Sequence, residues 1–386
     1  MSISRSIDKK SIVWRLLTGL ALVVVSVSAS AEDFTAKYTF QTPVTSTARE
    51  LLDLHNLIFM IVTAIMILVT GIMFYSIIAH RKSTGRKPAT FSHSNTLEVI
   101  WTVIPFLILV AMAVPATTAL LKMGDTSNSD MTIKVTGYQW KWRYNYPDQG
   151  IDFFSNLSTT QDQIDGKAPK DQAYLREVDK ELVLPVGKKI RILLTANDVI
   201  HAWWVPQLGV KKDAIPGYIN EMWTKIDEPG VYRGQCAELC GQGHGFMPIV
   251  VKAVTEHDFE IWANKAKSAQ LAEAASASKT FSKAELMAKG QKIFSTVCAG
   301  CHGANGVSAV PAVFPSMKDS KVANGPLDHH IHIVMNGSEK NPVMRAFKKE
   351  MSDLDIASVI TYERSAFGNN GGKGEVVQPK QIKALR

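Results

Sequence analysis

The sequence predicts a multidomain chain of three structural classes in succession: a two-helix transmembrane hairpin, an all-β sandwich and a small all-α domain. Three observations carry this. Residues 57–78 and 99–121 contain no charged side chain, and at about 1.5 Å per residue each stretch covers the roughly 30 Å hydrocarbon layer of a membrane. After a polar break at 124–130, short alternating apolar segments recur between Pro and Gly residues: Ile133 and Val135, then Ile190, Ile192 and Leu194, then Ile249, Val251 and Val254. Further on, amphipathic pieces at 286–294 and 353–362 have helical spacing.

In chain order, Arg5, Lys9, Lys10 and Arg15 precede an apolar run at 17–27 and the small residues Ala29, Ser30 and Ala31, the three parts of a secretory signal spanning 1–31. The hairpin occupies 32–122. Its connector carries Arg81, Lys82, Arg86 and Lys87 and belongs on the cytoplasmic side, which puts both outer ends of the hairpin on the exported side. Pro105 and Pro115 in the second span are tolerable where neighbouring helices satisfy the freed backbone groups. The β domain is expected over 123–263. Residues 264–279, mostly Ala, Ser and Lys, read as a partly helical flexible linker, 280–368 as the helical domain, and 369–386, Gly-rich and then basic, as a loose tail. The formal charge of +8 comes from scattered Lys and Arg with no stripe of interleaved base-stacking aromatics, so no nucleic-acid partner is expected.

All four cysteines fall in two short motifs. Residues 236–247 read Cys-Ala-Glu-Leu-Cys-Gly-Gln-Gly-His-Gly-Phe-Met, which places Cys236, Cys240, His244 and Met247 in one loop. Thiolate and thioether sulfur with imidazole nitrogen is a soft donor set suited to copper. A tetrahedral zinc site and, in an exported chain, a Cys236–Cys240 disulfide remain open on residue chemistry alone; neither gives Met247 a role, and structural zinc sites usually space their cysteines by two residues rather than three. The second motif, Cys298-Ala299-Gly300-Cys301-His302, has the spacing for covalent haem attachment, with a thioredoxin-type dithiol as the rival. Export, Gly303 directly after the motif, and a methionine some forty residues on favour haem. Histidines 329, 330 and 332 are read as lying on a helix of this domain rather than as a second metal cluster.

The copper loop, with Asp198-Val199-Ile200-His201-Ala202-Trp203 upstream and the run from Val205 to Gly217 after it, resembles the binuclear copper A motif of cytochrome c oxidase subunit II. The resemblance implies a cupredoxin-like sandwich in which Cys236 and Cys240 bridge two copper ions, His201 and His244 are terminal nitrogens, Met247 is a weak thioether ligand, and the backbone carbonyl of Glu238 completes the set. It also implies a magnesium ion shared with subunit I and held by the Glu238 side chain. The aromatic stretch 138–146 is similar to the region where an exposed tryptophan accepts electrons from cytochrome c; Trp140 takes that position, while most of its neighbouring rings are equally readable as a core face. Glu98, where the second span meets the cytoplasmic side, matches the glutamate at the mouth of the K-channel proton path.

Residues 280–367 resemble a class I cytochrome c domain, which implies thioether bonds at Cys298 and Cys301, His302 as proximal and Met344 as distal ligand. One departure stands out: the family often has Pro directly after this methionine, whereas here Arg345 follows and Pro342 precedes, leaving Met335 and Met351 as minor candidates.

Over the mature length the chain therefore resembles subunit II of a proton-translocating oxidase with a fused cytochrome c. The resemblance implies a bacterial inner-membrane location with the copper and haem domains periplasmic. Implied partners are subunits I and III, reduced periplasmic cytochrome c and membrane lipid. A nitric-oxide or nitrous-oxide reductase component and a copper-delivery protein are the competing functions. The two-span anchor with Glu98 disfavours the first; His244, Met247 and the haem motif disfavour the second.

Overall fold

The computed structural model describes residues 39–87, 90–276, 278–371 and 375–386. The expected signal segment, 1–31, and the first residues of the hairpin region lie outside the described residues. Val44 to Arg386 form one compact unit, which carries every element below.

Two long helices come first, α1 (Ser46–Ala79) and α2 (Asn95–Gly124). Thr45 starts α1 by accepting a hydrogen bond from the Ala48 amide, which satisfies one of the donors a helix N-terminus leaves unpaired. Glu98 in the first turn and Lys122 in the last turn of α2 complement the helix dipole. The central portions of both helices expose large apolar side chains, among them Phe59, Ile67, Trp101 and Leu109, a surface suited to lipid rather than water. Both outer ends of the hairpin are tied to the β domain: the Val44 amide donates to Gln207 O, the Thr45 hydroxyl to Leu208 O, and Trp223 Nε1 to Lys122 O. Glu98 sits at the opposite end of α2.

The β domain is a sandwich of two five-stranded sheets among the described residues. The first has the order β3-β2-β1-β5-β8, from β1 (Met131–Tyr138), β2 (Lys141–Tyr146), β3 (Ile151–Ser155), β5 (Ile190–Ala196) and β8 (Asn220–Thr224). The second runs β4-β10-β9-β6-β7, from β4 (Leu182–Pro185), β6 (His201–Val205), β7 (Val210–Ala214), β9 (Gly230–Cys236) and β10 (Pro248–Val254). Strand alternation decides which face each residue takes. On β1 it buries Met131, Ile133 and Val135, and on β5 it buries Ile190, Ile192 and Leu194. On β2 the same period encloses Trp142, Tyr144 and Tyr146 in the core, whereas Trp140 precedes the strand, in the turn between β1 and β2, and is only half-buried.

Helix α3 (Glu256–Ser276) then leaves the sandwich. Its first turns pack Phe259, Trp262, Ala263 and Ala266 against the sandwich core, and its Ala, Lys, Glu and Gln residues favour continuing the helix through most of the stretch expected to be a flexible linker. Gln270 accepts a hydrogen bond from the Asp152 amide of the sandwich, and Glu273 accepts from Ser352 of the domain beyond, so this helix touches both.

The last domain holds α4 (Lys283–Ile293), α5 (Leu327–Asn336), α6 (Asp353–Glu363) and α7 (Pro379–Ala384). Ser282 with Glu285, and Ser352 with Asp355, form capping boxes that start α4 and α6. These two helices cross at Gly290, where an added Cβ would lie 2.1 Å from the Ser358 carbonyl oxygen. The expected loose tail is corrected here: Val377 and Ile382 are fully buried, and Arg386 donates to Asp353 and to the Met351 carbonyl. Two apolar residues with Pro379 at the first helical position suffice to dock α7 on α6, although the basic composition of the segment hides them.

Candidate metal and haem sites

The sandwich brings the first motif together from three places: His201 opens β6, Cys236 closes β9, and Cys240, His244 and Met247 lie in the loop that returns to β10. Cys236 Sγ and Cys240 Sγ are 3.8 Å apart, against about 2.05 Å for a disulfide, and both cysteines are unbonded. His201 Nδ1 approaches Cys236 Sγ at 3.9 Å; at the other end of the pair His244 Nδ1 and Met247 Sδ each lie 3.5 Å from Cys240 Sγ. The Glu238 carbonyl oxygen is 3.3 Å from Cys236 Sγ. His201, Cys236, Cys240 and Met247 are all buried.

Burial of these groups has electrostatic consequences. The hydrogen bond from Cys240 holds the Cys236 thiol well below its ordinary value despite desolvation, and the same pairing raises Cys240. Two facing thiols that resist holding two negative charges are a poor resting state for a buried pair and a good cradle for cations. Burial opposes charge on His201, but hydrogen bonds from its ring to Asp198 and Cys236 outweigh it and raise its pKa. Asp198 Oδ1 lies 2.9 Å from His201 Nε2. With Nε2–H donating to that carboxylate, the Nδ1 lone pair faces the sulfurs, the usual arrangement by which an outer carboxylate orients a metal-binding imidazole. In the sequence, only its place three positions before the histidine marks Asp198 for this role.

The second motif lines a cleft with Cys298, Cys301, His302 and Met344 on its walls. Apolar Val313, Phe314, Val334 and Phe347 supply much of the remaining lining. His302 Nδ1 donates to the Pro315 carbonyl at 2.6 Å, which fixes the tautomer and leaves Nε2 available to an iron. Burial pushes both the Cys298 and Cys301 thiols up. Of the rival methionines, Met351 also reaches the cleft wall, while Met335 packs in the core. The paired cysteines, the oriented histidine and the apolar walls fit a covalent haem. His330 is buried and pairs with Glu363 at 2.9 Å.

Trp140 stands between the two sites. Its Nε1 donates to the Cys240 carbonyl at 3.1 Å, and the Gln139 side-chain Nε2 donates to the same oxygen at 2.9 Å. Gly243 packs so close to the indole that a Cβ there would be 2.3 Å from a ring atom, and a Cβ on Gly300, between the two cleft cysteines, would meet the ring at 3.6 Å. Glu98 is exposed at the far end of α2 and joins neither site.

A soft sulfur and imidazole centre on a β-sandwich, beside a haem-type cleft and behind a membrane hairpin, defines a membrane-anchored redox protein. Comparison with known proteins is more specific. Residues 131–254 match the family of the cytochrome c oxidase subunit II periplasmic domain, 32–118 match the subunit II transmembrane domain, and 285–362 match subunit III of the cbb3-type oxidase. A probable cytochrome c oxidase subunit 2 of Rickettsia felis is 42% identical over 259 residues, covering 66% of this chain and 81% of that relative. Subunit 2 of Cereibacter sphaeroides is 36% identical over 242 residues, covering 59% and 80%. The solved periplasmic domain of subunit II of the Bradyrhizobium japonicum oxidase is 45% identical, with a TM-score of 0.34, covering 37% of this chain and 98% of that one. The chain belongs to the cytochrome c oxidase subunit II family. It is a subunit of a cytochrome c oxidase with a fused cytochrome c domain, and these domains imply copper A and haem c as its cofactors.

Proposed function

We propose that this chain receives electrons from reduced periplasmic cytochrome c and passes them through its haem c and then its copper A centre to subunit I, where oxygen is reduced to water with proton pumping. The carrying observation is the two-ended donor set: two sulfurs 3.8 Å apart, with one imidazole facing each. That arrangement suits two ions bridged by Cys236 and Cys240, capped by His201 at one end and by His244 and Met247 at the other, with the Glu238 carbonyl as a further donor. Copper bound there supplies one-electron chemistry shared over two metals, and the β-scaffold limits rearrangement as charge arrives.

Cys298 and Cys301 would hold the haem covalently, with His302 and Met344 as axial ligands; a Met/His pair raises the potential, which suits delivery towards oxygen. Trp140 would be the electron-accepting side chain at the copper domain. The exposed Glu238 carboxylate is available to a magnesium ion shared with subunit I. Glu98, at the end of α2 remote from the copper domain, would stand at the mouth of the proton path, on the cytoplasmic face of a bacterial inner membrane. Subunit III and lipid would contact the apolar hairpin.

The test is a spectroscopic comparison of copper- and haem-loaded protein with Cys236→Ser. A mixed-valence copper signal that disappears in the variant while the haem spectrum persists supports the assignment. Retention of that signal contradicts it.

A further inference from the structure

Arg345, which stands where a proline is usual after the haem-ligand methionine, lines the haem cleft and carries its guanidinium across to the copper domain. Its guanidinium donates to the Gln139 carbonyl of the copper domain at 3.2 Å, lies over the Tyr138 ring at 5.6 Å, and pairs with Glu350 of its own domain. Glu350 in turn binds Lys141 of the copper domain at 3.1 Å, and the two side chains are 3% and 5% exposed. Lys141 also sits 4.4 Å from the centroid of Phe154. Two cations from different domains thus converge on one enclosed carboxylate at the edge of the turn that carries Trp140.

We propose that Lys141, Glu350 and Arg345 form a latch that docks the haem domain on the copper domain and thereby seats the Cys298–Cys301 segment against Trp140. The inference rests on the electron route proposed above and adds to it which face is open. Gly300 of the haem motif lies against the indole and Trp140 shares the cleft wall with Cys298 and Cys301, so the haem domain covers part of the face a separate protein would approach. A soluble one-electron donor then gives its electron to the haem domain, being oxidised by one equivalent, and reaches Trp140 directly only when the latch opens. An enclosed ion pair is a poor source of net stability but a strict fixer of geometry, because removing one partner strands the others without a counter-charge. These three residues are positioning residues.

The experiment is hydrogen exchange, read by mass spectrometry, on the full chain in its metal-loaded oxidase complex, comparing the unaltered protein with Glu350→Gln and Lys141→Met. Lys141→Met keeps the Arg345–Glu350 pair within the haem domain and serves if Glu350→Gln does not fold. Exchange at 138–141 and 344–350 is expected to accelerate roughly a hundredfold with the haem and copper spectra retained. In rapid mixing with reduced soluble cytochrome c, copper reduction should follow haem reduction in the unaltered protein and gain an independent phase in the variants. Unchanged protection in a folded variant overturns the latch, as does copper reduced ahead of haem in the unaltered protein. Backbone exchange reports docking whether or not electrons flow, so absence of the copper signal from the unaltered chain counts against the ligand assignment alone.

Discussion

At the residue scale, the donors around the two thiols divide into atoms that would touch metal and atoms that aim them. Asp198 belongs to the second kind: its carboxylate fixes the His201 tautomer without facing the sulfurs. Asp198→Asn is expected to keep the β-sandwich and weaken copper retention by about 10- to 100-fold, measured as the rate of copper loss to a chelator. A loss rate equal to that of the unaltered protein would show that His201 needs no such support. In the cleft, Met344→Ala is expected to abolish the sulfur-to-iron optical band and lower the haem potential, while Met351→Leu leaves both in place. The opposite pattern would transfer the ligand role to Met351. The copper loop was legible because it concentrates four soft donors in twelve residues, and His201 because its surrounding motif is specific. Arg345 was visible only as an oddity, since nothing in one chain's sequence says which surface of another domain a lone arginine will meet.

At the element scale, close approach of helices is the main requirement of the haem domain. Gly290 lets α4 lie against α6, and a methyl group there would collide with backbone rather than with a side chain that could turn away. Gly290→Ala should therefore destabilise the haem domain by about 1–3 kcal/mol, as overpacking does, read from denaturant unfolding followed at the haem band. Ile382→Ala, in α7, should cost about 2–5 kcal/mol by the same measurement, since the side chain is fully enclosed. A neutral result would restore the tail to the loose state expected from its composition. The helix running through 264–276 and the docked segment at 377–386 are hard to see in the sequence for a shared physical reason. Helix α3 packs Phe259, Trp262, Ala263 and Ala266 on the sandwich, but its apolar stripe ends there and polar contacts of Gln270 and Glu273 hold the rest, and a docked tail with two buried apolar residues shows too few for a period. The sandwich, by contrast, announces itself through strict alternation on β1 and β5, and the hairpin through uncharged runs of membrane length.

At the scale of the whole molecule, the hairpin fixes both of its outer ends to the sandwich, the sandwich builds a sulfur pair at one edge, and the haem domain lies across the turn that touches that edge. Each centre lies near Trp140: the copper loop through the Cys240 carbonyl and Gly243, the haem motif through Gly300. A haem domain joined to the sandwich through α3 and docked by these contacts stays beside the copper domain without a diffusional encounter. The measurement that bears most directly on this arrangement is metal and haem analysis, with electron paramagnetic resonance, of the full chain matured in its native host. Two coppers and one covalent haem per chain, with one unpaired electron shared between the coppers, is the expected result. One zinc per chain, or a Cys236–Cys240 disulfide without copper, would contradict it.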